Sequence, residues 1–132
     1  MASISVTIKD ETTAGKTLHS VQVELPSSLV TVAEIIEMRV AAEVNEYNNK
    51  RETNYRGLIQ PEGSEIGVNG FRLQKFRLID AKKQASVAKD AFKKNGFFIL
   101  IDNTQAASLE QVFALHKDSE ISFVKLTPLV GG

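Results

Sequence analysis

Alternation at the start of the chain constrains the fold more than any other feature. Ile4, Val6 and Ile8 are apolar, and Ser3, Ser5, Thr7 and Lys9 lie between them. A two-residue period gives an extended strand one apolar face and one wet face, so residues 3–9 read as a strand on one side of a core. The period returns from about Thr17 to Leu25, where Val21, Val23 and Leu25 alternate with Ser20, Gln22 and Glu24. Pro26 ends this second strand because it has no N–H to give a ladder. Residues 10–16 are polar and contain Gly15, which suits a hairpin loop. Asp10 and Glu11 then read as solvated loop carboxylates, and Glu62 and Glu65 read the same way, since nothing positions either pair for acid–base work.

The period changes to that of a helix after Val30. Thr31 and Glu34 have capping-box spacing, in which the hydroxyl takes the N3 amide and the carboxylate returns to the cap amide. Val32, Ile35, Ile36, Arg39, Val40, Val44 and Tyr47 recur on one face, and Asn48, Asn49 and Lys50 suit the exit. Residues 49–70 are polar, hold Pro61, Gly63, Gly67 and Gly70, and read as a long loop. Phe71 to Ile79 reads as a strand or an extended buried segment. Asp80 can cap a second helix over roughly 81–94, with Ala81, Ala85, Ala88 and Phe92 inward and Asn95-Gly96 as a left-handed stop. Its lysines, Lys82, Lys83, Lys89, Lys93 and Lys94, read as a solvated outer face. Phe97 to Ile101 is apolar on both faces, as in a central or doubly covered strand. A turn-rich stretch then carries Leu109, Val112 and Leu115 inward. Glu120 to Leu126 is the last strand, and residues 127–132 form an extended tail.

The resulting order implies an α+β class: a mixed sheet packed on a helix, with an inserted segment (49–96) and a second helix. The first and last strands should pair in parallel at the centre of the sheet, with the helix across one face. The 132 residues suffice for one core, so 1–132 reads as a single domain. Sixteen basic residues balance sixteen acidic ones, which argues against a general field for nucleic acid or an anionic membrane. The absence of cysteine excludes disulfides, thiolate metal sites and a cysteine nucleophile. Met1-Ala2-Ser3-Ile4 shows no basic region leading into an apolar run, and the run Phe97–Ile101 is too short to span a bilayer. The expectation is a cytoplasmic protein with no membrane partner.

Several segments carry a resemblance. Thr13-Ala14-Gly15-Lys16-Thr17 sits in the first hairpin much as the Thr-Gly-Lys-Thr turn does in ubiquitin. Leu109 to Leu115, leading through His116-Lys117-Asp118-Ser119-Glu120 into Ile121-Ser122-Phe123-Val124, looks like ubiquitin's closing turn and final strand. Leu129-Val130-Gly131-Gly132 resembles its tail. With the element order, these residues resemble the ubiquitin-like β-grasp family over roughly 3–48 and 97–132. The insertion has no counterpart in ubiquitin; enlarged forms resemble the ubiquitin-like proteins of bacterial conjugation operons.

The resemblance implies a protein modifier that is a substrate of enzymes and not itself an enzyme. Gly132 would be the reacting residue, adenylated by ATP and conjugated to a target, with Leu129, Val130 and Gly131 presenting it. The implied partners are an activating enzyme of the ubiquitin type, a conjugating enzyme, a deconjugating protease and a target protein, with no resident cofactor or metal. Val130 replaces the arginine that ubiquitin carries before its glycines, so an activating enzyme reading that position would differ from ubiquitin's. One rival is a sulfur carrier, in which the adenylated carboxylate becomes a thiocarboxylate. Another is a non-conjugated binding or assembly module.

Other motifs reduce to structure. Gly15-Lys16-Thr17 lacks the glycine that a phosphate-binding loop needs five residues earlier, where Asp10 stands, and a strand follows instead of a helix. His19 and His116 show no ligand-like partner pattern and read as surface or edge residues. The last strand admits two arrangements. Val124 and Leu126 face outward as a partner surface, or the insertion covers them; apolar residues on both faces favour the second.

Overall fold

Alternation carries the first strand two residues beyond its sequence-read end. In the computed structural model, which describes residues 3–12, 15–51, 53–67, 70–73 and 75–125, β1 spans Ile4–Glu11 and β2 spans Thr17–Leu25. The two run antiparallel from Ile4↔Leu25 to Glu11↔Thr17, with a register irregularity between Asp10 and Glu11. Val6, Ile8 and Asp10 are all buried. The loop reading of Asp10 is therefore corrected: a carboxylate occupies the next inward position of the strand. Charge at the core face marks a loop only when nothing neutralises it, and here a buried cation does.

β3, Leu29–Thr31, leads directly into α1, Val32–Lys50. Thr31 and Glu34 form the reciprocal capping box, with the Glu34 amide donating to Thr31 Oγ1 at 3.1 Å and the Thr31 amide to Glu34 Oε1 at 2.9 Å. The buried stripe of α1 is the one the spacing implies, including Arg39, and adds Glu43.

The long loop expected over 49–70 is in part a small sheet. β4 (Asn54–Tyr55), β5 (Glu65–Gly67) and β6 (Gly70–Arg72) pair antiparallel in the order β4-β6-β5. Tyr55, Leu58 and Ile59 are buried within the expected loop and follow no single period, so the pattern hid them, while Phe71 and Leu73 are buried as an extended buried segment from Phe71 implies. At Gly70 (φ 134°) a side chain would begin 2.6 Å from the Tyr55 carbonyl oxygen, and only glycine suits that position. α2 spans Ala81–Lys93, capped by Asp80, whose side chain accepts from the Lys82 and Lys83 amides. Ala85, Ala88 and Phe92 are buried together with Gln84, and Asn95 takes the left-handed stop at φ 61°.

β7 (Phe97–Ile101) turns through Asp102 and Asn103, both at positive φ, into β8 (Thr104–Gln105). β9 (Val112–Ala114) pairs with β3 through Val30↔Phe113. Val112 is 58% exposed, which corrects its inward assignment. Pairing opposite Thr31 turns it away from the core, while Leu115 is buried and Leu109 packs partly buried. β10 covers Glu120–Lys125.

The main sheet has five strands in the order β2-β1-β10-β7-β8. β10 lies parallel to β1 (Ile8↔Ile121) and antiparallel to β7 (Phe123↔Ile99). The chain's first and last described strands thus pair at the centre, as the alternation implies. One face of the sheet buries Val6, Ile8, Val23, Ile99 and Phe123 with Ile35, Ile36 and Val40 of α1 in a common core. The opposite face keeps Phe98, Leu100 and Val124 half-buried. The insertion packs on the helix side: Phe92 lies 5.8 Å from Phe97, and Tyr55 and Phe76 each lie 5.4 Å from Tyr47. Covering of the outer face by the insertion is therefore not what the fold does; β7 is an interior strand, paired with β10 on one side and β8 on the other, and is not doubly covered.

Candidate functional site

Of the residues singled out for the tail and its neighbourhood, Leu126, Leu129, Val130, Gly131 and Gly132 lie outside the described residues. Val124 is described. It sits half-buried on the outer face of β10, in register with Phe98 of β7 and Glu11 of β1. Beside it, Ser122 donates its hydroxyl proton to the Glu11 carboxylate.

The last described residues of β10 lie beside a group of charges. β1 delivers Asp10 because it is the next inward position after Val6 and Ile8. α1 delivers Arg39 and Glu43 because residues four apart share a helix face. β10 delivers Lys125, inward by alternation from Ile121 and Phe123. Arg39 is fully buried. Its two terminal nitrogens face the two Asp10 oxygens, Nη1 at 2.5 Å from Oδ1 and Nη2 hydrogen-bonded to Oδ2 at 2.7 Å. Its Nε donates to Glu43 Oε1 at 2.5 Å. The guanidinium carbon lies 4.5 Å over the Phe123 ring, a cation–π contact in a water-poor setting. Lys125 Nζ completes the group, 3.4 Å from Asp10 Oδ2. Two carboxylates and two cations balance, as burial requires.

Burial opposes the ionised form of Asp10, but the charge and hydrogen bond of Arg39, joined by Lys125, outweigh it and lower its pKa. For Glu43 burial wins over the attraction of Arg39, the Asp10 charge adds repulsion, and the pKa is raised. Glu43 Oε2 is buried without a hydrogen-bond partner, which fits an oxygen whose charge is poorly supported. His19 sits across the ladder from Asp10; burial lowers its pKa, against the pull of the Asp10 carboxylate.

This group was missed in the sequence because each member has an ordinary reading by itself. Two signals were there: Arg39 inside an apolar stripe with an acid four residues on, and Asp10 in phase with Ile8. The remaining candidates stay apart from it. His116 is exposed, and its Nδ1 accepts from the Asp118 amide. Glu62 and Glu65 are exposed, and Glu62 pairs with Lys83 at 3.0 Å. Lys82, Lys83, Lys93 and Lys94 are exposed, while Lys89 is half-buried and reaches Glu37 at 2.7 Å. Among the described residues no group of three or more His, Cys, Asp or Glu side chains is placed to hold a metal ion, and no helix is long and apolar enough to cross a membrane. Comparison with protein families, curated proteins and solved structures gives no match to this chain.

Proposed function

We propose that this chain is a ubiquitin-like protein modifier of β-grasp type, and that Gly132 is the residue joined to a target. The observation that carries the reading is the parallel pairing of β1 with β10 at the centre of a mixed sheet crossed by α1. Leu129-Val130-Gly131-Gly132 follows β10, the middle strand of that sheet, in the sequence. The Gly132 carboxylate reacts as the end of the translated chain or after release by a processing protease. A carboxylate is a poor acyl donor at neutral pH because its oxygen leaves badly. An activating enzyme therefore spends ATP to form an acyl-adenylate with release of pyrophosphate, and a thiol or amine then displaces AMP. Two glycines keep the peptide narrow enough for a confined channel. In this reading the chain is a substrate and contributes no catalytic group, it works in the cytoplasm, and Val124 with Leu126 belongs to the surface that partners read.

The test is incubation with a ubiquitin-type activating enzyme and labelled ATP, followed by mass spectrometry of the C-terminal peptide. The expected product is an adenylate or thioester at Gly132. A thiocarboxylate would assign the protein to sulfur carriage instead. An unmodified Gly132 with an enzyme shown to be active, and biological activity retained without Gly131-Gly132, would leave a non-conjugated binding module.

A further inference from the structure

Among the described residues, four large aliphatic side chains stand exposed, and they divide between two places of opposite charge. Ile66 and Leu78 lie in the insertion; Leu29 and Val112 lie on the β3–β9 ribbon. Residues 49–96 hold eleven of the sixteen basic residues and five of the sixteen acidic ones, which leaves five basic and eleven acidic for the rest. The insertion is thus formally +6 and the remainder −6, inside a net charge of zero. We infer that the chain associates head to tail with further copies of itself, the Leu78 side of the insertion in one copy seating on the Leu29–Val112 face of the ribbon in the next.

Leu78, 68% exposed, borders an open cleft of about 290 Å³ that Pro61, Ile79 and Val87 also line. Arg77 and Lys83 are exposed beside it. Glu62 and Asp80 belong to the same cleft, but Glu62 is engaged by Lys83 and Asp80 caps α2. On the ribbon, Leu29 pairs with Ala114 and Thr31 with Val112. Opposite residues of a ladder share a face, so Leu29, Ala114 and Val112 look outward while Val30, on the other face, is buried. Glu34 joins the ribbon through its bond to Thr31, and exposed Glu110 and Asp118 lie on the segments that flank β9. Residues 24–37 and 102–120 together hold seven acidic residues and one basic residue, Lys117.

Each patch therefore offers an apolar contact within charge of one sign, and the other patch supplies the complement. Like patches repel, which disfavours a two-fold contact. The two cannot meet within one chain. β3 runs into the first residue of α1, while Asn48 near its end exchanges two hydrogen bonds with Ile79, next to Leu78, at 3.0 and 3.2 Å. The patches thus lie about 25 Å apart along the helix. A contact between different patches leaves one of each free, so the assembly grows as a chain or closes as a ring.

The test is sedimentation velocity of the full chain over a concentration series, at low salt and at about 0.5 M salt, where charges are screened within about 5 Å. The mean mass should rise with concentration at low salt and return toward the monomer at high salt. Leu78→Ser and Val112→Ser, both at exposed positions, should each weaken association about tenfold at an unchanged unfolding midpoint. An equimolar mixture of the two variants should form a dimer and nothing larger, because the intact insertion of Val112→Ser still seats on the intact ribbon of Leu78→Ser. Wild-type protein that stays monomeric at every concentration in low salt would overturn the inference; if that monomer binds a single-stranded oligonucleotide instead, the basic face belongs to nucleic acid. Association lost in one variant only, or a mixture that forms no dimer, would overturn the head-to-tail arrangement.

Discussion

Asp10 and Glu43 both hold Arg39, yet their proton affinities move in opposite directions, and the protein's response to pH follows from that. Asp10 titrates below its ordinary 3.8. Its contribution to stability is therefore complete above that value and is lost as pH falls through the folded value. Glu43 titrates above its ordinary 4.5. The folded state favours its protonated form, so stability falls as pH climbs from about 4.5 through the folded value. Asp10→Asn leaves a buried guanidinium short of one counter-charge and should cost about 3–5 kcal/mol at neutral pH. Glu43→Gln keeps the shape, leaves Arg39 paired with Asp10, and should cost less. Urea unfolding from pH 2.5 to 8 checks both. Glu43→Gln should flatten the decline above about pH 4.5, and Asp10→Asn should flatten the loss in acid. A Glu43→Gln curve parallel to wild type above pH 4.5 would show that Glu43 ionises at no cost.

At the scale of elements, α1 and the insertion are stabilised differently. The start of α1 rests on local chemistry, the reciprocal bonds of Thr31 and Glu34. Thr31→Ala should destabilise by about 1 kcal/mol, read as a lower denaturation midpoint with unchanged slope. The insertion has little regular pairing and depends on buried aromatics. Tyr55 is 1% exposed and meets Tyr47 of α1 edge to face. A methyl added at Gly57 would lie 1.9 Å from Cζ and 2.0 Å from the hydroxyl oxygen of Tyr55, and a side chain only 1% exposed has nowhere to go. Gly57→Ala should therefore cost about 1–3 kcal/mol and speed amide exchange at Tyr55 and Phe71 more than in the main sheet. A neutral outcome would mean that Tyr55 repacks freely and that the insertion is loosely held.

At the scale of the whole molecule, a line of contacts joins the insertion to the central strands. Phe92 of α2 meets Phe97 of β7, Phe97 stacks on Phe123 of β10 at 5.5 Å, and Phe123 lies under Arg39. The second helix is thus packed into the same core as the strand that leads to the tail. Removing Gly131 and Gly132 should leave the unfolding midpoint within about 0.5 kcal/mol of wild type. In the proposed role it should abolish transfer to a target, measured by loss of the higher-mass conjugate. A large loss of stability on this deletion would mean that the glycines serve the fold and would remove the basis of the modifier reading.

The amino-acid order by itself determined the periodic parts of this protein. Alternation at Ile4–Ile8 and Val21–Leu25, the Thr31–Glu34 box, the Ala85–Ala88–Phe92 stripe and the Asn95 stop each depend on neighbours within a turn or a strand, and each is present as the sequence implies. Tertiary structure alone decided three further things. It brought Asp10, Arg39, Glu43 and Lys125 together, because the pairing of a carboxylate with a cation 29 positions away depends on which strand lies beneath which helix turn. It placed the insertion on the helix side of the sheet, because aromatic side chains without a period pack wherever another ring offers a face. It turned Val112 outward, because a strand's facing is set by its partner's register and not by its own hydrophobicity.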